Sequence, residues 1–570
     1  MIFLGKLLCG CGTKYVVRRG GTMGSSLSTV RPEELVDFRK LNTSIENVEV
    51  PARPENRTVT DKKGFVIFGI AILILIPFLV YTLVNADSRH LTHYSDNCGN
   101  FCGLKNPTID GVPCSGQDFT LNRYVNEKRE CVSQNQFENK LSVLQPTNDF
   151  WNEENQFRAN SFDISKVFTT KNSIWWRYLL AIFFTIALGV ITLVLLRFAP
   201  APFVWGILIF SVLVLLAATG FLWILYFQKY AISLLPILVW TIFVVIILII
   251  FIVIFKRVGL VIQLYKETTK VLAAMPLVVF FPIFTSFIQI VVFVAAIVTT
   301  FRMFFFRQLT KRDENMYKYE LSAVAIFTII FNIIVASWAM RFVAGIQYMT
   351  ISGGVARWYF SKNKDQLDSP VWSSFKVTVR YHLGTIAFGS FLLTLFAVVK
   401  ALLKMFFRNA CCRFCMHFCC NNVDILLNFL SGNSYIQTAI HGQSFLRSAK
   451  RATKLLLANI GNIFAINCVG DFILAMIIML ITLLATAVSF ALFMDVGPAG
   501  IQGTVTCFII NLVIVYIIFG TFQTIIDSLF ICFCEDSVMN DGISRPYYMS
   551  RGLMEFIENA KKAQGQQLTH

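Results

Sequence analysis

The sequence predicts an all-α, polytopic membrane helix bundle of about ten transmembrane helices, with a disulfide-stapled outer loop after the first. Three observations lead there. Hydrophobic residues make up 56% of the 570-residue chain, above the roughly 45–50% usual for soluble domains. They gather into blocks of ~20 or more nearly uncharged residues, long enough to cross ~30 Å of hydrocarbon as a helix. Four cysteines also fall together in the longest polar insertion. Spans in lipid must be helical, because hydrocarbon offers backbone N–H and C=O groups no partner.

Residues 1–63 are polar and basic and read as a disordered cytosolic tail. The first apolar run, 64–84, follows Lys62 and Lys63 and is too long and too far from the N-terminus for a signal-peptide core. Residues 85–177 carry 10 Lys/Arg against 11 Asp/Glu, so they lack the positive bias of a cytosolic loop. Their cysteines, Cys98, Cys102, Cys114 and Cys131, predict two disulfides in an extracytoplasmic loop, with three pairings open.

Spans are predicted at 178–196, 203–226 and 232–255, followed by an amphipathic basic segment, 258–272, expected on the cytosolic interface. Further spans fall at 274–299, 321–349, 383–404, 463–493 and 501–534. The stretch 443–457 carries Arg447, Lys450, Arg451 and Lys454 with no acid and reads as cytosolic. An even number of crossings must therefore lie between it and the cytosolic 350–382 loop. That requires a weak eighth helix at 411–440, interrupted by Arg413 and Asp424, or else a re-entrant 383–404. The bundle covers 178–535, and 536–570 forms a cytosolic tail.

The formal net charge of +17 is read as a loop excess facing anionic lipid rather than as a nucleic-acid surface, since no nucleic-acid module accompanies it. The chain has no clustered His/Asp metal set, no Gly-x-Ser-x-Gly and no phosphate-binding glycine loop, which argues against an enzyme. No cofactor or metal is expected, and nothing in the sequence indicates an oligomeric state.

Several strings in the second half carry a resemblance. They include Gly354-Val-Ala-Arg-Trp-Tyr-Phe360, Arg380-Tyr-His-Leu-Gly-Thr-Ile-Ala-Phe-Gly-Ser390 and Asn433-Ser-Tyr-Ile-Gln-Thr-Ala-Ile-His-Gly442. With them go Ser448-Ala-Lys450, Cys534-Glu-Asp536 and Arg545-Pro-Tyr-Tyr-Met549. Together they resemble the choline transporter-like family. The resemblance implies transport of choline, and of ethanolamine, feeding phosphatidylcholine synthesis, at the plasma membrane or in organelle membranes including mitochondrial ones.

Choline is a permanent cation whose methyl groups replace N–H donors, so a site must surround it with aromatic faces. Trp223, Tyr226, Trp240, Trp338 and Tyr348 are the candidates within spans, against the plainer reading of interfacial belt residues. Asp471 and Asp527 are costly inside spans and are candidates for a counter-charge or inner gate. The alternative is structural pairing with Arg341.

Cys411, Cys412, Cys415, Cys419 and Cys420 suit S-acylation if they face the cytosol; their spacing lacks the second knuckle of a zinc site. Gly24 fits N-myristoylation if translation starts at Met23, while residues 1–22 are basic and transit-like. The rival class is an ion channel or lipid scramblase of the same topology. It needs a hydrophilic groove, and polar residues in the spans are few beyond Asn332, Arg341, Asp471 and Asp527.

Overall fold

The computed structural model describes residues 53–134 (bar 88, 127 and 128), 175–228, 234–254, 258–313, 316–364, 369–406, 410–458, 470–496, 498–540 and 545–555. Its helices of more than ten residues are α1 (Lys62–Val84), α2 (Trp175–Phe198), α3 (Pro200–Phe227), α4 (Leu234–Ile254), α5 (Val258–Ala274), α6 (Leu277–Met303) and α7 (Ala323–Tyr359). There follow α8 (Pro370–Tyr381), α9 (Leu383–Phe406), α10 (Ala410–His441), α11 (Phe445–Ala458), α12 (Asp471–Phe493) and α13 (Pro498–Met539). Eight of these, α1, α2, α3, α6, α7, α9, α12 and α13, are long and apolar enough to cross a membrane, and α4 adds a shorter apolar run, Leu234–Ile249. The expected weak eighth crossing, α10, is a continuous helix of 32 residues. Its length would suffice, but its composition is too polar to qualify as a span on its own. Lys400 of α9 reaches Asp424 of α10 at 3.2 Å, so the acid that interrupts α10 has a partner across the hairpin.

The joints follow from residue type. Ala199 alone separates α2 from α3, and Pro200 opens α3, where a missing N–H costs nothing. Gly442 turns the chain from α10 into α11 at φ +69°; a Cβ there would stand 3.2 Å from the Arg57 side chain. Gly384, at the start of α9, lies so close to the Asp61 carbonyl that any side chain would collide with it.

The chain forms two compact units. One comprises Met1–Phe65, Trp175–Phe287 and Arg341–His570; the other comprises Val66–Ile174 and Ile288–Met340. In the first, α12 and α13 pack on each other and on α2, with α5 against α2, α3 and α13. Sequence placed 258–272 on the membrane surface, but α5 is instead buried. Leu260, Val261, Leu264, Tyr265, Thr268 and Val271 are all enclosed. Its threonines bond back to their own helix, and Tyr265 donates to the Gly470 carbonyl at 2.8 Å. That removes most of the polar face an interfacial helix needs. Lys266 and Lys270 stay exposed, and Lys270 reaches Glu267 at 2.8 Å.

The second unit carries the outer loop and two short antiparallel hairpins, β1 (Tyr124–Val125) with β2 (Cys131–Val132) and β3 (Arg307–Asp313) with β4 (Met316–Leu321). The all-α expectation did not include these strands. Cys98 pairs with Cys114 and Cys102 with Cys131, which chooses one of the three pairings. The loop docks on β4 through polar contacts: Tyr317 N–H donates to the Asn97 carbonyl at 2.7 Å, and the Tyr319 hydroxyl to that of Gly99 at 2.9 Å. Phe101 is enclosed between His90 and Tyr319, with the Arg89 guanidinium 5.0 Å from its ring centre. Mass mapping without reduction is expected to recover these two pairs and no free thiol among the four. Cys131→Ser should destabilise the loop by about 2–4 kcal/mol, measurable as faster proteolysis of the loop.

Candidate functional site

In the core of the first unit, α7, α10, α12 and α13 bring together Tyr348, Tyr435, Asp471, Gln523 and Asp527. Small residues let the helices approach. A Cβ on Gly345 would meet Ile386 at 2.6 Å, and one on Gly432 would stand 3.2 Å from the Tyr348 hydroxyl. Tyr348 donates to Asp527 Oδ2 at 3.3 Å, and Gln523 Nε2 donates to Asp471 Oδ1 at 2.9 Å. The Tyr348 hydroxyl is in electrostatic range of both acids. Its ring lies 6.5 Å from that of Tyr435, which in turn feels Arg341. Gln523 and Asp527, one turn apart, are half-buried, whereas Phe522, Thr524, Ile525, Ile526 and Ser528 around them are buried. This stretch of α13 therefore has a single open side, and it is polar. Two carboxylates beside two aromatic rings outnumber the one guanidinium, Arg341, in range of Tyr435, and suit a cation.

The other aromatic candidates fall elsewhere. Trp223 Nε1 donates to the Thr241 hydroxyl, and Trp240 Nε1 to the Thr219 hydroxyl, each at 3.1 Å. These reciprocal bonds fasten α3 to α4, with Tyr226 edge-on to Trp223. Trp338 belongs to the second unit, where it is buried edge-on against Phe68 of α1. Of the five, Tyr348 alone joins the two acids; its companions Tyr435 and Gln523 were missed. Cys419 is exposed and Cys420 buried. The side chains of Cys411, Cys412 and Cys415, and Gly24 altogether, lie outside the described residues. Among the described residues, no three His, Cys, Asp or Glu side chains are grouped to hold a metal.

A second polar cluster closes one end of the same unit. Glu535 of α13 is fully enclosed and takes two bonds from Arg451 of α11, Nε to Oε1 and Nη2 to Oε2, both at 2.8 Å. Gln437 of α10 donates to it at 2.9 Å, and His441, one turn on, lies 3.3 Å away. The adjacent Asp536 accepts from the Tyr359 hydroxyl and from the backbone N–H groups of Tyr548 and Met549. The i, i+4 spacing of Gln437 and His441 was the available signal, since it sets both on one helix face.

The segment before α1, read from composition as tail, is threaded into this end. Arg57 is buried, donating to the Ala439 carbonyl at 2.6 Å and to His382 Nε2 at 3.0 Å. Because a guanidinium only donates, His382 must accept at Nε2 and carry its proton on Nδ1. From there a chain runs through the Thr60 and Thr385 hydroxyls to the Asp61 carboxylate. Asp61 also caps the Phe445 N–H at 2.8 Å. Burial, and then the charge of Arg57, pull His382 from 6.5 down to about 3. Between those values the unfolded chain binds the proton and the folded chain does not, so stability falls as pH falls through this window. Melting of the detergent-solubilised protein should show that loss, and His382→Asn should flatten it.

Residues 238–538 match the family described as plasma-membrane choline transporter. The chain is 31% identical over 450 residues to rat "Choline transporter-like protein 1", covering 70% of this chain but 65%, just under two thirds, of that protein. It is 27% identical over 613 residues to the Xenopus laevis protein of the same name, covering 88% and 92%. Against human "Choline transporter-like protein 3" it is 26% identical over 625 residues, covering 90% and 94%.

Proposed function

The chain belongs to the plasma-membrane choline transporter family as a multi-pass membrane protein, and on that premise we propose that it carries choline across the plasma membrane through the Tyr348–Asp527 site. The observation that carries this reading is Tyr348 bonded to Asp527 at 3.3 Å within range of Asp471, inside the family-matched stretch. A quaternary ammonium needs no acceptor at its charge; the rings of Tyr348 and Tyr435 supply π faces worth ~0.5–2 kcal/mol each. The carboxylates supply opposite charge. Ethanolamine, a primary amine, is costlier to desolvate and is the poorer substrate. The chain is a carrier without catalytic activity of its own.

Uptake of labelled choline into proteoliposomes holding the purified full chain tests this. Saturable uptake, competed by unlabelled choline and less by ethanolamine, is expected. Flux that never saturates, as through a channel, or no uptake at all, would overturn it.

A further inference from the structure

Two short helices, α8 and α11, are 12 and 14 residues long, too short to cross a membrane, and neither contains Asp or Glu. Each buries one face in the first unit. On α8, Val371, Ser374, Val377 and Thr378 are enclosed; on α11, Phe445, Ser448, Arg451, Ala452, Leu455 and Leu456 are. The opposite faces are alike. On α8 the exposed residues Trp372, Lys376, Val379 and Arg380 share one side at i, i+4, i+7 and i+8. On α11 the exposed residues are Leu446, Arg447, Lys450 and Leu457, with Lys454 half-exposed.

The apolar members are open in spite of their chemistry: Trp372 is 49% exposed, Leu446 65% and Leu457 57%. A face meant for water would not alternate tryptophan and leucine with cations, and a face meant for the core would not carry the cations. Both helices sit at the same end of the bundle. Only His382 separates α8 from α9, a three-residue turn separates α10 from α11, and Asp61 bonds both Thr385 at the head of α9 and Phe445 at the head of α11.

We propose that the outward faces of α8 and α11 together form a binding surface for anionic phospholipid headgroups. Lys376, Arg380, Arg447, Lys450 and Lys454 meet the phosphates and carboxylates, while Trp372, Leu446 and Leu457 enter the acyl boundary beneath them. The occupant is a lipid surface rather than a free anion, because a soluble phosphate would leave the three apolar side chains in water. α5 provides the contrast: it also carries two exposed lysines but no exposed large apolar residue beside them.

The test is amine-reactive footprinting of the full chain in nanodiscs of phosphatidylcholine alone and with about 30% phosphatidylserine, where each lysine at the surface should gain about fivefold protection. Lys376, Lys450 and Lys454 should label more slowly in the anionic discs and recover in high salt, with Lys266 unchanged. In native mass spectrometry, the combined variant Arg447→Gln, Lys450→Gln, Lys454→Gln should retain less phosphatidylserine than the wild type. Equal labelling in the two discs overturns the proposal. So does protection already complete in phosphatidylcholine alone, which would mean that a protein segment covers these faces.

Discussion

Glu535→Gln should destabilise the folded chain by about 3–5 kcal/mol, the usual cost of removing one member of a buried ion pair. The carboxylate is enclosed and accepts from Nε and Nη2 of Arg451 and from Gln437. An amide in its place offers one oxygen instead of two and turns an NH2 group toward donors. The Arg451 charge then stays buried without its counter-ion. Melting of the purified protein reads this directly. A double-mutant cycle with Arg451→Met separates the pair from its parts: the double variant should be less damaged than the two single losses summed. Glu535→Gln melting like the wild type would mean that α10, α11 and α13 are held at this end by packing alone.

Asp527→Asn should leave the fold intact and weaken choline binding about a hundredfold. A cation about 5 Å from a carboxylate, at an effective dielectric of about 20, gains roughly 3 kcal/mol, and 1.4 kcal/mol is tenfold in affinity. Asparagine keeps the volume and still accepts from the Tyr348 hydroxyl, so loss of charge dominates. Tyr348→Phe is the companion variant. It keeps the ring, removes the bond to Asp527 and should cost much less. Binding of labelled choline to purified protein, with melting temperature as control, distinguishes the cases. Unchanged affinity in Asp527→Asn would assign the acid to structure.

What sequence made legible was governed by range. Spans are local, as the length and apolarity of one segment decide them, and eight of the expected ten are met on that measure. The four outer cysteines were readable as staples from count and compartment, but their pairing depends on how the loop folds over Asn106, whose amide bonds Phe101, Leu104 and Gln117. Asp471 and Asp527 stood out because a charge in a span is costly wherever it sits. The aromatic set was less readable, since an indole in a span serves a helix contact as readily as a cation. Trp223 and Trp240 fasten a hairpin, and only their threonine partners reveal it. Arg57 was invisible in the same way: its partner His382 is 325 residues away. In α10, Arg413 and Asp424 lowered the apolar signal, and Lys400, which accommodates Asp424, belongs to another helix.

The paired indoles also bear on biogenesis. Each threonine that accepts an indole N–H donates its own proton to a carbonyl one turn back in its helix, Thr241 to Ile237 and Thr219 to Leu215, each at 2.8 Å. These four side chains thus find their partners within the α3–α4 pair, which can leave the translocon with those bonds already made. α2 cannot. Its buried Thr185 lies 2.8 Å from the Asn511 amide oxygen, and Asn511 reaches back to Ser489 of α12. Those partners are synthesised some 300 residues later. During translation α2 must wait in the bilayer with its contact unmade, so truncation before α13 should strand α2 while sparing the α3–α4 pair.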